Sequence, residues 1–176
     1  NLMPNISESP LDEAVDINLT ADVKIPLVKG LTYNILFWAQ NEEAPYTFDG
    51  KKVTIDYANL AANEEAYDAF FRNFEVHIEN STPHYVELYR PFAQLNIGTG
   101  DLAEAIDAGF ELKKTSITVE TCTVLNLEDG KAEQPQEMTF DLNTKAEDTY
   151  EGFDIISMNY LLVNSEKELI NVTFNA

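Results

Sequence analysis

Residues 85–124 read YVELYRPFAQLNIGTGDLAEAIDAGFELKKTSITVETCTV. The run over 85–97 is strand-like, but its in–out alternation is disturbed at Arg90-Pro91. Proline cannot donate to a strand ladder, so a bulge or a switch between sheets is expected there. Gly98-Thr99-Gly100 is a turn. Leu102, Ala105 and Ile106 give a short helix one apolar side, and Gly109 is placed to end it. Residues 110–127 are then a long extended run, dense in the Thr, Val and Ile that suit a pleated surface. Strand, bend, one-sided helix and long strand in succession predict a β domain with helical connections.

Working toward the N-terminus, residues 81–83 are a loop. Residues 62–76 (ANEEAYDAFFRNFEV) predict a helix. Asn63 can cap it, Glu64 and Glu65 suit its positive end, and Tyr67, Phe70, Phe71 and Phe74 follow 3-4 spacing. The chain is expected to become extended again near Phe74, with Val76 and Ile78 inward. Asp49-Gly50 marks a hairpin, with Val53, Ile55 and Tyr57 on its apolar face. Residues 31–40 (LTYNILFWAQ) are apolar on both sides, which predicts a central strand covered on two faces. Lys29-Gly30 is a turn, residues 15–28 are a strand limited by Pro26, and residues 1–14 are a polar loop.

Working toward the C-terminus, Glu128-Asp129-Gly130 is a turn, followed by an acidic, Gln-rich connection. Residues 138–142 are a short strand, 145–154 (KAEDTYEGFD) are a polar loop, and 155–163 (IISMNYLLV) are a buried strand. Residues 168–174 form a last strand, expected to pair with it as a hairpin. The whole predicts an all-β, two-sheet Greek-key sandwich with two short connecting helices, a single domain over residues 1–176.

The charge balance narrows the partners. Eleven basic residues against 31 acidic ones leave a net charge of −20. Such a surface repels phosphate backbones and anionic lipid headgroups, so neither nucleic acid nor a bare membrane surface is an expected partner. Its ordinary meaning is solubility and self-repulsion, and weak calcium binding is the sharper reading. The one cysteine, Cys122, permits no intrachain disulfide and reads as a small apolar strand residue rather than a nucleophile.

No arrangement of residues announces catalysis: there is no nucleophile elbow, no zinc-protease motif, no phosphate loop and no EF-hand spacing. The expectation is therefore no catalytic residue, no cofactor and no metal site. Several residues still have a functional reading. Glu75, His77 and Glu79 share one strand face and could meet a metal, although a solvated face explains them as well. His84 lies in a loop beside Pro83. Asp49 and the Glu128-Asp129 pair could hold calcium weakly, or simply make turns. Trp38 could be a sugar platform, but it sits in the most apolar strand. Thirty-one acids offer many carboxylate pairs, so no one pair points to glycoside hydrolysis.

Further motifs carry a resemblance. Arg90-Pro91-Phe92-Ala93-Gln94-Leu95-Asn96, residues 33–41 (YNILFWAQN), the acidic segment leading to Phe71, and residues 158–163 (MNYLLV) are distinctive together. The chain resembles the fimbrillin-like surface lipoproteins of anaerobic Gram-negative gut bacteria. The resemblance implies a transthyretin-like sandwich, here the N-terminal domain of a fimbrillin-like protein lacking its first strand. It implies a non-enzymatic role as a fimbrial subunit, anchor or accessory component at the cell surface. The implied partners are other fimbrial subunits or host and bacterial surface ligands, with the membrane reached only through a lipid anchor outside these residues. Assembly would be strand donation, in which main-chain bonds supply affinity and alternating side chains fill pockets. In a bacterial protein the N-x-S/T sequons at Asn5, Asn18, Asn80 and Asn171 carry no glycosylation meaning.

Two alternatives stand beside this reading. A glycan- or protein-binding β-sandwich module would expose aromatics, with Tyr46, Tyr57, Tyr85, Tyr89 and Tyr150 as candidates. A secreted carbohydrate-active domain would need two close carboxylates, or one carboxylate with a raised pKa, in a cleft.

Overall fold

A computed structural model describes residues 22–41, 43–59, 68–142, 149–150, 152–163 and 170–176. Ten strands lie among them: β1 (Thr32–Gln40), β2 (Tyr46–Phe48), β3 (Lys52–Ile55), β4 (Ala69–His77), β5 (Phe92–Thr99), β6 (Thr115–Asn126), β7 (Lys131–Leu142), β8 (Thr149–Tyr150), β9 (Phe153–Leu162) and β10 (Val172–Asn175). One α-helix, α1 (Leu102–Asp107), joins β5 to β6, and a 3-10 turn (Tyr57–Asn59) follows β3. The fold is all-β, and the strand pairs among the described residues are antiparallel.

β6 organises the largest sheet. One of its edges pairs with β7 along almost its whole length. The other edge is divided: β10 takes residues 116–119 and β3 takes residues 124–126. β2 extends the sheet beyond β3 through the Asp49-Gly50 hairpin. β5, β9 and β8 form a second sheet, and β1 with β4 a third. The first two sheets face each other. Ile117, Val119, Leu125 and Leu127 meet Leu161 and Leu162, with Leu36, Trp38 and Phe71 of the β1–β4 pair packed against the same cluster.

Thr115, Thr121 and Tyr57 cross this interior with their hydroxyls hydrogen-bonded, whereas the buried Asn159 Oδ1 has no partner among the described residues. Thr115 donates to the Ile156 carbonyl at 3.0 Å and Thr121 to the Leu162 carbonyl at 3.2 Å. The Tyr57 hydroxyl donates to the Cys122 carbonyl at 3.1 Å, accepts the Leu162 N–H at 3.0 Å and lies 3.0 Å from Thr121 Oγ1. One phenol thus ties the turn after β3 to β6 and β9. Buried polar groups cost free energy unless paired, so this cluster also fixes how the sheets face one another.

Several local expectations hold. The 49–50 hairpin forms, and Val53, Ile55 and Tyr57 are buried on one face. Residues 127–130 turn between β6 and β7, and β9 is an almost wholly buried strand. Pro91 marks a break: β5 begins directly after it, and residues 85–91 before it make only an isolated bridge, Tyr89 to Phe71.

Other expectations are corrected. The helix predicted over 62–76 is strand β4 from Ala69 onward, in nine-residue register with β1, and its residues 62–67 lie outside the described residues. Trp38 opposite Phe71 and Ile35 opposite Phe74 show why: pairing with an aromatic strand outweighs helical spacing. Of the two predicted short helices, the one after Gly100 forms as α1, and a 3-10 turn at Tyr57–Asn59 is an addition. β1 is not a central strand covered on both faces; it pairs only with β4 there and is half-buried. The connection expected over 131–137 is the first half of β7. Among the described residues β7 pairs on one side only, the setting in which a strand tolerates a proline such as Pro135. β10 pairs with β6 rather than β9, so the expected terminal hairpin is not formed among the described residues. Residues 22–28 carry no strand, residues 110–114 precede β6 without strand pairing, and residues 15–21 lie outside the described residues.

Candidate functional site

The residues with a functional reading in sequence are mostly dispersed into structural roles. His77 shares a 3.0 Å hydrogen bond with Thr32 Oγ1, its cross-strand partner. No group of three or more metal-ligating side chains forms among the described residues. The Asp49 carboxylate accepts the N–H groups of Lys52 at 2.7 Å and Lys51 at 2.9 Å, and those two bonds hold its pKa below the ordinary value. Glu128 pairs with Lys51 at 2.7 Å, and Asp129 accepts the Lys131 N–H. Cys122 is buried in β6. These are turn and ladder contacts.

The candidate sugar-binding aromatics separate by exposure. Trp38 is half-buried, donates to Gln40 and meets the Tyr46 ring edge-on. Tyr46 stacks on Phe92, with centroids 5.7 Å apart. Burial, then the nearby Tyr57 and Asp68, push its phenol pKa far up. Tyr57 belongs to the interior clamp, and burial raises its pKa too. The side chain of Tyr150 lies outside the described residues. Tyr85 is 96% exposed and Tyr89 49% exposed, so these two remain available to a ligand.

Around them is an assembly that sequence reasoning missed. Residues 84–90 run antiparallel beside β4, joined to it through Phe71 and Tyr89, whose N–H and C=O groups exchange bonds of 2.9 and 3.0 Å. Side chains interleave along this join. The Arg72 guanidinium lies over the Tyr89 ring at 4.8 Å, and the Arg90 guanidinium over the Phe70 ring at 5.5 Å. His84 tilts against Phe74 at 5.9 Å. Arg90 is ion-paired with Asp68, whereas Arg72 makes no ion pair among the described residues. A cation over a ring face is attracted by its quadrupole. A signal was present in the sequence: both arginines and both histidines fall within residues 72–90 of a chain that is otherwise strongly acidic. The helical reading of 62–76 hid it, because it separated Arg72 from Tyr89.

Residues 6–176 match the model of a family described only as a family of unknown function, DUF6562.

The chain belongs to the DUF6562 family.

No curated protein and no solved structure matches it. The family's description assigns no chemistry to any residue, so the arginine–tyrosine strip of this DUF6562 chain rests on its geometry. Away from this strip, a concavity of about 230 Å³ lies between α1 and the C-terminal end of the described chain. Leu102, Ala105, Phe110, Leu112 and Ile156 make it mainly apolar, with Thr99 and Asp101 at its rim. Thr99 and Asp101 bond to each other there.

Proposed function

We propose that this chain is a non-enzymatic structural or adhesion protein of the cell surface, a fimbrial subunit or accessory component. The observation that carries this reading is the role of the Arg90–Asn96 motif residues. Arg90 anchors the approach to Pro91 through Asp68, and Phe92 to Asn96 form the paired part of β5 against β9. A scaffold role for the motif is compatible with the resemblance to fimbrillin-like lipoproteins. β5 pairs on one side only among the described residues, so its other edge supports assembly by strand addition. The facing β6 and β9 sheets support the finer reading of a Greek-key, transthyretin-like sandwich.

The test follows the precursor in its own bacterium. A tagged full-length protein should be labelled by a lipid precursor and cut by protease added to intact cells. A cytosolic, unlabelled, protease-protected protein overturns the reading. Assembly is tested separately, by whether the exported protein forms higher oligomers after trimming of its N-terminal segment.

A glycan- or protein-binding module is the second reading, and the exposed Tyr85 and Tyr89 favour it. Adhesion and binding are compatible in one surface domain.

A further inference from the structure

We propose that the strip formed by Arg72, Tyr85, Glu87 and Tyr89 binds a short oligosaccharide bearing a single carboxylate, such as a chain ending in one uronic acid. The inference rests on these side chains and not on fimbrial assembly.

Three features select this ligand class. The first is ring presentation. Along residues 85–89 exposure alternates: Tyr85, Glu87 and Tyr89 face solvent while Val86 and Leu88 are partly buried. In an extended chain, positions four apart are separated by about 13 Å, the length of a few sugar rings. Tyrosine offers an apolar face to sugar C–H groups and a hydroxyl to their oxygens. Glu87, between the two, is an acceptor for sugar hydroxyls.

The second feature is the state of the two guanidiniums. Arg90 is committed to Asp68, but Arg72 makes no ion pair among the described residues and lies over the Tyr89 ring, 4.8 Å from its centroid. A guanidinium supported by a ring keeps its planar fork pre-organised for a carboxylate. One uncommitted guanidinium matches one negative charge.

The third feature is the field of the rest of the molecule. A net charge of −20 repels a polyanion, and Glu87 beside the tyrosines adds to that repulsion. Acidic peptides and highly charged polysaccharides therefore fit poorly. A largely neutral sugar with one carboxylate gains the stacking and the ion pair while meeting little repulsion.

The test is titration calorimetry of the whole chain with three probes: a trisaccharide ending in one galacturonic acid, the same trisaccharide with that carboxyl reduced to an alcohol, and triglutamate. The acidic trisaccharide is expected to bind about tenfold tighter than the reduced one, the scale of a modest charge-assisted contact. Triglutamate should not bind. Tyr85→Ala, at a position too exposed to disturb folding, should weaken both sugars several-fold. Arg72→Gln should abolish the preference for the acidic sugar, with circular dichroism and the melting temperature checking that the fold persists. Should Arg72→Gln unfold, Arg72→Lys should fold and show a reduced preference, because an ammonium lacks the planar fork. Equal affinity for both sugars, binding of triglutamate instead, no sugar binding, or full affinity in Tyr85→Ala would each overturn the proposal. None of these results depends on export or polymerisation, so the fimbrial reading stands or falls independently.

Discussion

At the scale of single residues, Tyr57 does more than fill space. Its hydroxyl satisfies backbone groups on two strands that belong to different sheets. Tyr57→Phe keeps the ring but strands the Leu162 N–H and removes the bond to the Cys122 carbonyl. A loss of about 1–3 kcal/mol is expected, the cost of unmet buried groups, read as a lower urea midpoint with an unchanged slope. The same phenol sets a pH dependence. Burial raises the pKa of Tyr46 and Tyr57 above the ordinary 10.0, partly opposed at Tyr57 by the bonds from Thr121 and Leu162. Groups whose folded pKa is raised hold their proton in the native state after the unfolded chain has lost it. Their stabilisation is complete below pH 10 and falls as the pH rises above it. Urea midpoints should therefore decline above about pH 10, and Tyr57→Phe should decline less steeply than the parent. Equal slopes in the two proteins would show that Tyr57 is not a source of the effect.

At the scale of elements, β6 is the most heavily paired strand and α1 the least supported element. β6 is bonded on both edges and buried along most of its length. α1 is six residues long, buries only Leu102 and has no side-chain cap. Native-state hydrogen exchange should find the slowest amides in β6, opening only with global unfolding, and the fastest helical amides in α1. Comparable protection in the two would contradict this hierarchy. The join between the β6–β7 turn and the β1–β4 pair is a second test. Gly130 has φ +71°, and a Cβ there would lie 3.3 Å from the Phe71 ring. Asn73 also donates to the Glu128 carbonyl at this join. Gly130→Ala should cost roughly 1–2 kcal/mol from backbone conformation, with added crowding of Phe71. Calorimetry should show a lowered melting temperature; an unchanged one would mean that the turn relaxes freely.

At the scale of the whole molecule, the net charge of −20 dominates long-range behaviour. The compact state concentrates like charge, and ion pairs among the described residues, such as the half-exposed Lys52 with Glu133 and the exposed Lys114 with Asp141, contribute little. Raising sodium chloride from about 10 mM to 150 mM shortens the screening length from about 30 Å to 8 Å, and should raise the melting temperature by several degrees. A melting temperature that falls with salt would mean that attractive pairs, not repulsion, govern stability. The same charge asymmetry makes the arginine–tyrosine strip conspicuous, since it gathers both arginines on an acidic body.

Local chemistry was legible before any tertiary information. Asp49-Gly50 specified its hairpin because the carboxylate can hold the turn. Val53, Ile55 and Tyr57 specified a buried face by alternation. Pro91 specified where β5 could start, and Leu102, Ala105 and Ile106 a one-sided helix. Each of these features is settled within a few residues by sterics, hydrogen bonding and periodicity. The choice of partner was not. Phe70, Phe71 and Phe74 suit a helix or a strand, and β1, some 35 residues away, decided for the strand. β10 sits against β6 rather than its sequence neighbour β9, and acidic residues 131–137 became strand because β6 had a long edge to cover. The arginine–tyrosine strip was invisible for the same reason, since Arg72 and Tyr89 meet only when residues 84–90 lie beside β4. The sequence by itself determined the all-β class, the turns, the apolar faces and the acidic surface. Only the tertiary structure decided which strands pair and which surface side chains converge, because those depend on long-range contacts whose free energy no local window contains.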